Sequence, residues 1–120
     1  MKITASQFSV KFQVPLSKVR RNIKEFLPKS KGIYWRCGIT RELTLREAQA
    51  VFIGTIFVQN LGLTFAEARK HIKIVFRSVR NKKNKDCYRI TDGRFYEKSI
   101  DVKKALTHVK EKIKEGEWYA

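Results

Sequence analysis

Ala48-Gln49-Ala50-Val51-Phe52-Ile53-Gly54-Thr55-Ile56-Phe57-Val58-Gln59-Asn60-Leu61-Gly62-Leu63-Thr64-Phe65-Ala66 runs nineteen residues without a charge, in a chain where 32% of residues are charged. Between Val51 and Val58 it is apolar on nearly every side. A membrane span needs roughly 20 mostly apolar residues, and Gln49, Gln59, Asn60, Gly62 and Thr64 interrupt this run too soon. It reads instead as a central buried helix around which a small domain packs.

Both ends of that helix are marked. Thr44-Leu45-Arg46-Glu47 is a capping box, in which the Thr hydroxyl and the Glu carboxylate each satisfy the other residue's backbone N–H. Leu43 and Ala48 stand at the hydrophobic-staple positions. Asn60-Leu61-Gly62 ends the helix, with glycine at hand for a left-handed residue. Thr64-Phe65-Ala66-Glu67 is a second box, flanked by Leu63 and Ala68. The spacing predicts helices over about 45–60 and 65–79, joined by a tight turn.

Working back toward the N-terminus, Thr4-Ala5-Ser6-Gln7 is a third box with Ile3 and Phe8 as its staple. Ala5, Phe8 and Phe12 keep helical spacing, which predicts a helix over 5–12. Gln13-Val14 breaks it, and Pro15 suits the first position of the next helix. There Leu16, Val19, Ile23 and Phe26 share one face, while Ser17, Lys18, Arg21, Lys24 and Glu25 share the other. Two turns of helix, a short break and a helix with a basic outer face form the layout of a helix-turn-helix, whose second helix can enter the major groove. Residues 29–41 hold two glycines, β-branched and aromatic residues and basic flanks, the composition of a short hairpin or wing. Lys29, Lys31, Arg36 and Arg41 could meet phosphates there, and Tyr34 or Trp35 could cap the core or touch the sugar backbone.

The order of Val14-Pro15-Leu16-Ser17-Lys18-Val19-Arg20-Arg21, Phe26-Leu27-Pro28, Gly32-Ile33-Tyr34-Trp35 and the central helix resembles the MerR-like winged helix-turn-helix superfamily. The likeness covers roughly residues 3–79, and Leu-Gly-Leu-Thr-Phe-Ala-Glu-Ala-Arg over 61–69 carries much of it. It implies double-stranded DNA binding, with the second helix in the major groove and the wing along the backbone. The long coiled-coil helix and effector tail of full-length regulators are not visible, so metal or drug sensing is not implied. The likeness is to the compact excisionase or phage-regulator type.

Along the helix over 65–79, Phe65, Ala68, Ile72, Phe76 and Val79 form the expected buried stripe. Ile74 stands almost opposite, and the expected cover is the C-terminal segment or a second subunit. His71 borders the stripe as a structural residue. Arg77, Arg80, Lys82, Lys83 and Lys85 form the densest basic run, a linker suited to phosphate contact. Asp92-Gly93 is a strong hairpin turn signal. Pairing Thr91 with Arg94 puts Tyr88, Ile90, Phe95 and Glu97 on a packing face, and Arg89 and Arg94 on a basic one. Val102, Ala105, Leu106, Val109 and Ile113 mark a last amphipathic helix over 101–115, closed by Gly116.

A length of 120 residues fits a single domain. We expect residues 1–80 to form the DNA-binding unit and 81–120 to pack on it. Twenty-seven Lys and Arg against eleven acids give a formal charge of +16, which points to a polyanionic partner. The helices are ill suited to a membrane surface, since the most apolar one has no basic stripe. Cys37 and Cys87 are expected as reduced thiols in a cytoplasmic, nucleoid-associated protein, with no secretory signal at the N-terminus and no cofactor or metal. A nuclease could draw on Asp86, Asp92, Glu97 and Asp101, but these carboxylates lack a two-metal arrangement. No enzyme is expected.

The reading is a mainly α fold with small β: a winged helix-turn-helix of about four helices plus wing, then a β-hairpin and a C-terminal helix. Its expected role is double-stranded DNA binding, as a small transcriptional regulator or accessory factor. The expected contacts are Ser17, Lys18, Arg20, Arg21, Lys24, Lys29, Lys31, Tyr34, Arg36, Arg41, Arg77, Arg80, Lys82, Lys83, Lys85, Arg89 and Arg94. Two alternatives stay open. One is a phage or mobile-element protein that holds a second copy or another protein through Ile74 or the last helix. The other is an RNA-binding module that uses Tyr88, Arg89, Arg94 and Tyr96.

Overall fold

Four times the chain passes from a buried apolar residue through a Thr or Asp cap directly into a helix. The computed structural model describes residues 2–27, 42–80, 87–91 and 97–116, the side chains of Val79, Arg80 and Glu115 excepted. In it β1 (Lys2–Thr4) leads into α1 (Ala5–Phe12), then α2 (Leu16–Phe26). β2 (Glu42–Thr44) leads into α3 (Leu45–Thr55), which continues as a π-helical turn over Ile56–Asn60. α4 (Phe65–Arg80), β3 (Cys87–Thr91), β4 (Glu97–Asp101) and α5 (Val102–Gly116) follow. Among the described residues the fold is mainly helical with two small two-stranded sheets.

The caps form as their residue types require. Thr4 Oγ1 accepts from Gln7 N at 3.2 Å while Thr4 N donates to Gln7 Oε1 at 2.9 Å. Thr44 and Glu47 repeat this at 3.2 and 3.0 Å, and Thr64 and Glu67 at 3.2 Å in both directions. At α5, Asp101 Oδ1 accepts from Lys104 N at 2.9 Å. Each such cap stabilises its helix by about 1 kcal/mol. The staple pairs Ile3/Phe8, Leu43/Ala48 and Leu63/Ala68 are all buried, as are Ile100 and Ala105 at the corresponding α5 positions. β1 and β2 pair antiparallel with Ile3 opposite Leu43, so two strand–cap–helix units lie side by side.

Beyond its first turn, which carries Arg46 and Glu47, helix α3 is uncharged around its circumference because other helices cover it on three sides. Thr55 and Gly54 face α2, through Asn22 and Phe26. Gln49 and Phe52 face α5: Gln49 Nε2 donates to Leu106 O at 3.2 Å, and the Phe52 ring lies 5.5 Å from His108. Arg46 reaches over Phe76 of α4 at 4.9 Å. Val51, Ile53 and Phe57 are fully buried, whereas Phe52 and Ile56 are half-buried. The π turn closes through Leu61 N to Ile56 O at 3.1 Å, and Gly62 takes the left-handed conformation expected of it, with φ +70°.

Several expectations need correction. Pro15 is the cap residue of α2 rather than its first helical position, and its carbonyl accepts from Val19 N at 3.0 Å. Val75 is buried in α4, whereas Phe76 is half-buried beneath Arg46. In the hairpin Thr91 pairs with Glu97, not Arg94, and the second strand is residues 97–101. The longer connection puts Ile90 and Ile100 together on the buried face; a register slip of one residue would turn one of them out. Glu97 thereby moves to the exposed face beside Arg89. Ile74 remains 36% exposed among the described residues. The wing over 29–41, the basic run over 81–86, the turn over 92–96 and Phe95 lie outside the described residues, as do Trp118 and Tyr119.

Candidate nucleic-acid interface

Helix α2 owes its orientation to the turn before it and to the face it buries. Gln13 adopts a left-handed conformation with φ 54°, ending α1. Ser9 Oγ then donates to Val14 O at 2.6 Å, and Val14 N donates to Ser9 O at 3.1 Å, which ties the turn back onto α1. Val19 and Ile23 enter the core, and Asn22 beside them is 4% exposed. Asn22 Nδ2 donates to Thr55 Oγ1 at 2.8 Å, and that hydroxyl donates in turn to Val51 O at 2.7 Å. Sequence reasoning missed Asn22; a lone polar residue between Val19 and Ile23 at helical spacing was the available signal.

The opposite side of α2 is open to solvent and basic. Ser17, Lys18, Arg20, Arg21 and Lys24 are all exposed. Arg20 and Lys24 have no partner among the described residues. The Arg21 guanidinium lies over the Phe65 ring at 4.7 Å from its centroid, a cation–π contact that fixes its position without removing its charge. Glu25 is the only acid on α2, and Arg69 of α4 neutralises it across 2.6 Å. An exposed pair of this kind adds little stability, but it removes the one negative charge from the face.

These two contacts join α2 to α4, whose outer side carries Lys70, Lys73 and Arg77, all exposed. Their i, i+3, i+7 spacing makes one ridge. Sequence reasoning singled out Arg77 but not Lys70 or Lys73, although the same spacing was legible. Arg80 ends α4, with its side chain outside the described residues. Lys29, Lys31, Tyr34, Arg36, Arg41, Lys82, Lys83, Lys85 and Arg94 are likewise outside them. Arg89 is placed away from this face, on the hairpin, where it pairs with Glu97 at 3.3 Å.

Other groups with chemical potential are occupied structurally. His71 Nδ1 and the Tyr88 hydroxyl share a hydrogen bond of 2.6 Å, closing the hairpin onto α4. Burial pushes the His71 pKa below its ordinary value and that of Tyr88 above its own. Lys98 Nζ donates to the Leu61 carbonyl, tying β4 to the end of the π turn. Among the described residues no three His, Cys, Asp or Glu side chains are grouped to hold a metal ion. A cleft of about 750 Å³ lies between α3, β4 and α5, floored by Phe52, Ile56 and Ile100. Among the described residues no helix is long and apolar enough to cross a membrane.

Comparison with known proteins finds no matching family model, no matching curated protein and no matching solved structure.

Proposed function

We propose that the chain is a double-stranded DNA-binding protein of MerR-like winged helix-turn-helix type, serving in the cytoplasm as a small transcriptional regulator or excisionase-type accessory factor. Helix α2 is the recognition helix, with Ser17 and Arg20 near its N-terminal end turned to base edges. Lys70, Lys73 and Arg77 of α4, and the segment over 29–41, follow the phosphates. One observation carries the reading: every exposed position on α2 is basic, small or neutralised, while α1 and α3 hold its other side rigidly. A helix that is buried on one face and uniformly cationic on the other suits a groove lined by phosphates.

The half-buried Tyr88, bonded to His71, is poorly disposed to stack on a splayed base, which weighs against the RNA reading. The exposed Ile74 within the Lys70–Arg77 ridge favours a second reading, in which α4 holds an acidic protein or a second copy of this chain. Competition titrations with duplex DNA, single-stranded DNA and duplex RNA separate the readings. The proposed function predicts preference for duplex DNA. Equal or weaker binding to duplex DNA than to the other two contradicts it.

A further inference from the structure

We infer that the chain carries a second, separate phosphate-binding face on α5 and so bridges two DNA duplexes; this rests on the DNA-binding reading of α2. Lys103, Lys110 and Lys114 are exposed and lie on one side of α5 with Thr107 between them. None of the three lysines is paired among the described residues, and the one acid beside them, Glu111, stands on the flank of the stripe. At 1.5 Å of rise per residue, they are spaced about 10 and 6 Å along the helix axis. Lys104 and Glu111 share one flank of this stripe and offset one another in charge, and Asp101 is engaged in capping α5.

The geometry keeps this face apart from the first. Helix α3 meets α2 through Gly54 and Thr55, and meets α5 through Gln49 and Phe52. At 100° per residue these contact directions are about 140° apart around α3. The exposed sides of α2 and α5 therefore look away from one another across α3. A straight duplex seated on α2 and α4 cannot reach the α5 stripe. The complementary occupant of that stripe is a second run of phosphates.

The test uses the full chain, one duplex immobilised on beads and a second, labelled duplex in solution. The parent should retain labelled duplex on the beads. The triple variant Lys103→Gln, Lys110→Gln, Lys114→Gln should bind a single duplex within about threefold of the parent yet retain at least about tenfold less of the second. A parent that binds one duplex and captures no second overturns bridging alone, and so does bending of a single duplex without capture. Capture that survives the triple substitution also overturns it, since two copies would then be bridging through their α2 faces. A parent that binds no duplex overturns bridging together with the reading of α2.

Discussion

The Asn22 side-chain amide donates to the Thr55 hydroxyl at 2.8 Å, inside the packed contact between α2 and α3. Two polar groups in an apolar interface satisfy each other in one relative position of the helices and lose that satisfaction in others. The pair therefore fixes how far α2 stands along α3, and with it the direction of the basic face. Thr55→Val should cost about 1–3 kcal/mol in urea unfolding, because the amide stays buried without its acceptor. Adding Asn22→Leu should recover part of the loss, since replacing both partners can be nearly neutral. A Thr55→Val variant as stable as the parent would show that the bond does not hold the helices.

Gly54 is required by its neighbour and not by its backbone. A Cβ built there lies 2.5 Å from the Phe26 ring, closer than carbon atoms approach. Gly54→Ala gains about 1 kcal/mol of helix propensity, but overpacking costs about 1–3 kcal/mol, so the expected result is neutral to clearly destabilised. Phe26→Leu in the same chain should relieve the clash. The check is whether the double variant melts above Gly54→Ala alone.

His71 makes stability fall in mild acid. Its folded pKa is held below the ordinary 6.5 by burial first and then by Lys70, against a smaller opposite effect of Glu67. The unfolded chain thus binds the proton more readily than the folded one. The contribution is complete above the unfolded value of 6.5 and is lost as pH falls from there through the lower folded pKa. Unfolding midpoints measured between pH 8 and 5 should drop less for His71→Gln than for the parent. Parallel curves would contradict this assignment.

Along α3 and the π turn that continues it, the cost of truncation should follow burial. Phe57 is fully enclosed, whereas Phe52 borders the cleft beside α5. Phe57→Ala should cost about 3–5 kcal/mol, enough to unfold much of so small a domain. Phe52→Ala should cost clearly less. Equal losses in thermal unfolding would mean that the two rings share one environment.

The helices and their starts were legible because caps are local: Thr4, Thr44 and Thr64 each find their partner three residues on. The uncharged run was legible for the opposite reason, since only a helix covered on three sides can do without charge. The β1–β2 pairing was hidden, because three-residue strands have no period of their own and join residues forty apart. Asp92-Gly93 misled for the hairpin: the burial of Ile100 decided the register, and a local turn signal cannot weigh a distant core. Val75 escaped notice because the stripe was drawn through Phe76, which packs at the edge of the core under Arg46. On the candidate face the basic residues of α2 followed from the helical wheel, but the Arg21–Phe65 and Glu25–Arg69 contacts required the tertiary fold.

The most direct measurement of the DNA-binding account is a pair of salt titrations, one on a duplex selected from random sequence and one on a scrambled duplex. With about five to eight phosphate contacts, log K for the parent should fall against log salt with a slope of roughly −4 to −7. Arg20→Ala should weaken the selected duplex by about 1–3 kcal/mol and the scrambled one much less. Lys70→Ala with Lys73→Ala should weaken both alike and flatten the slope by about 2. Affinity that does not change with salt, or an Arg20 variant indistinguishable from the lysine pair on both duplexes, would contradict the account of α2 as a recognition helix.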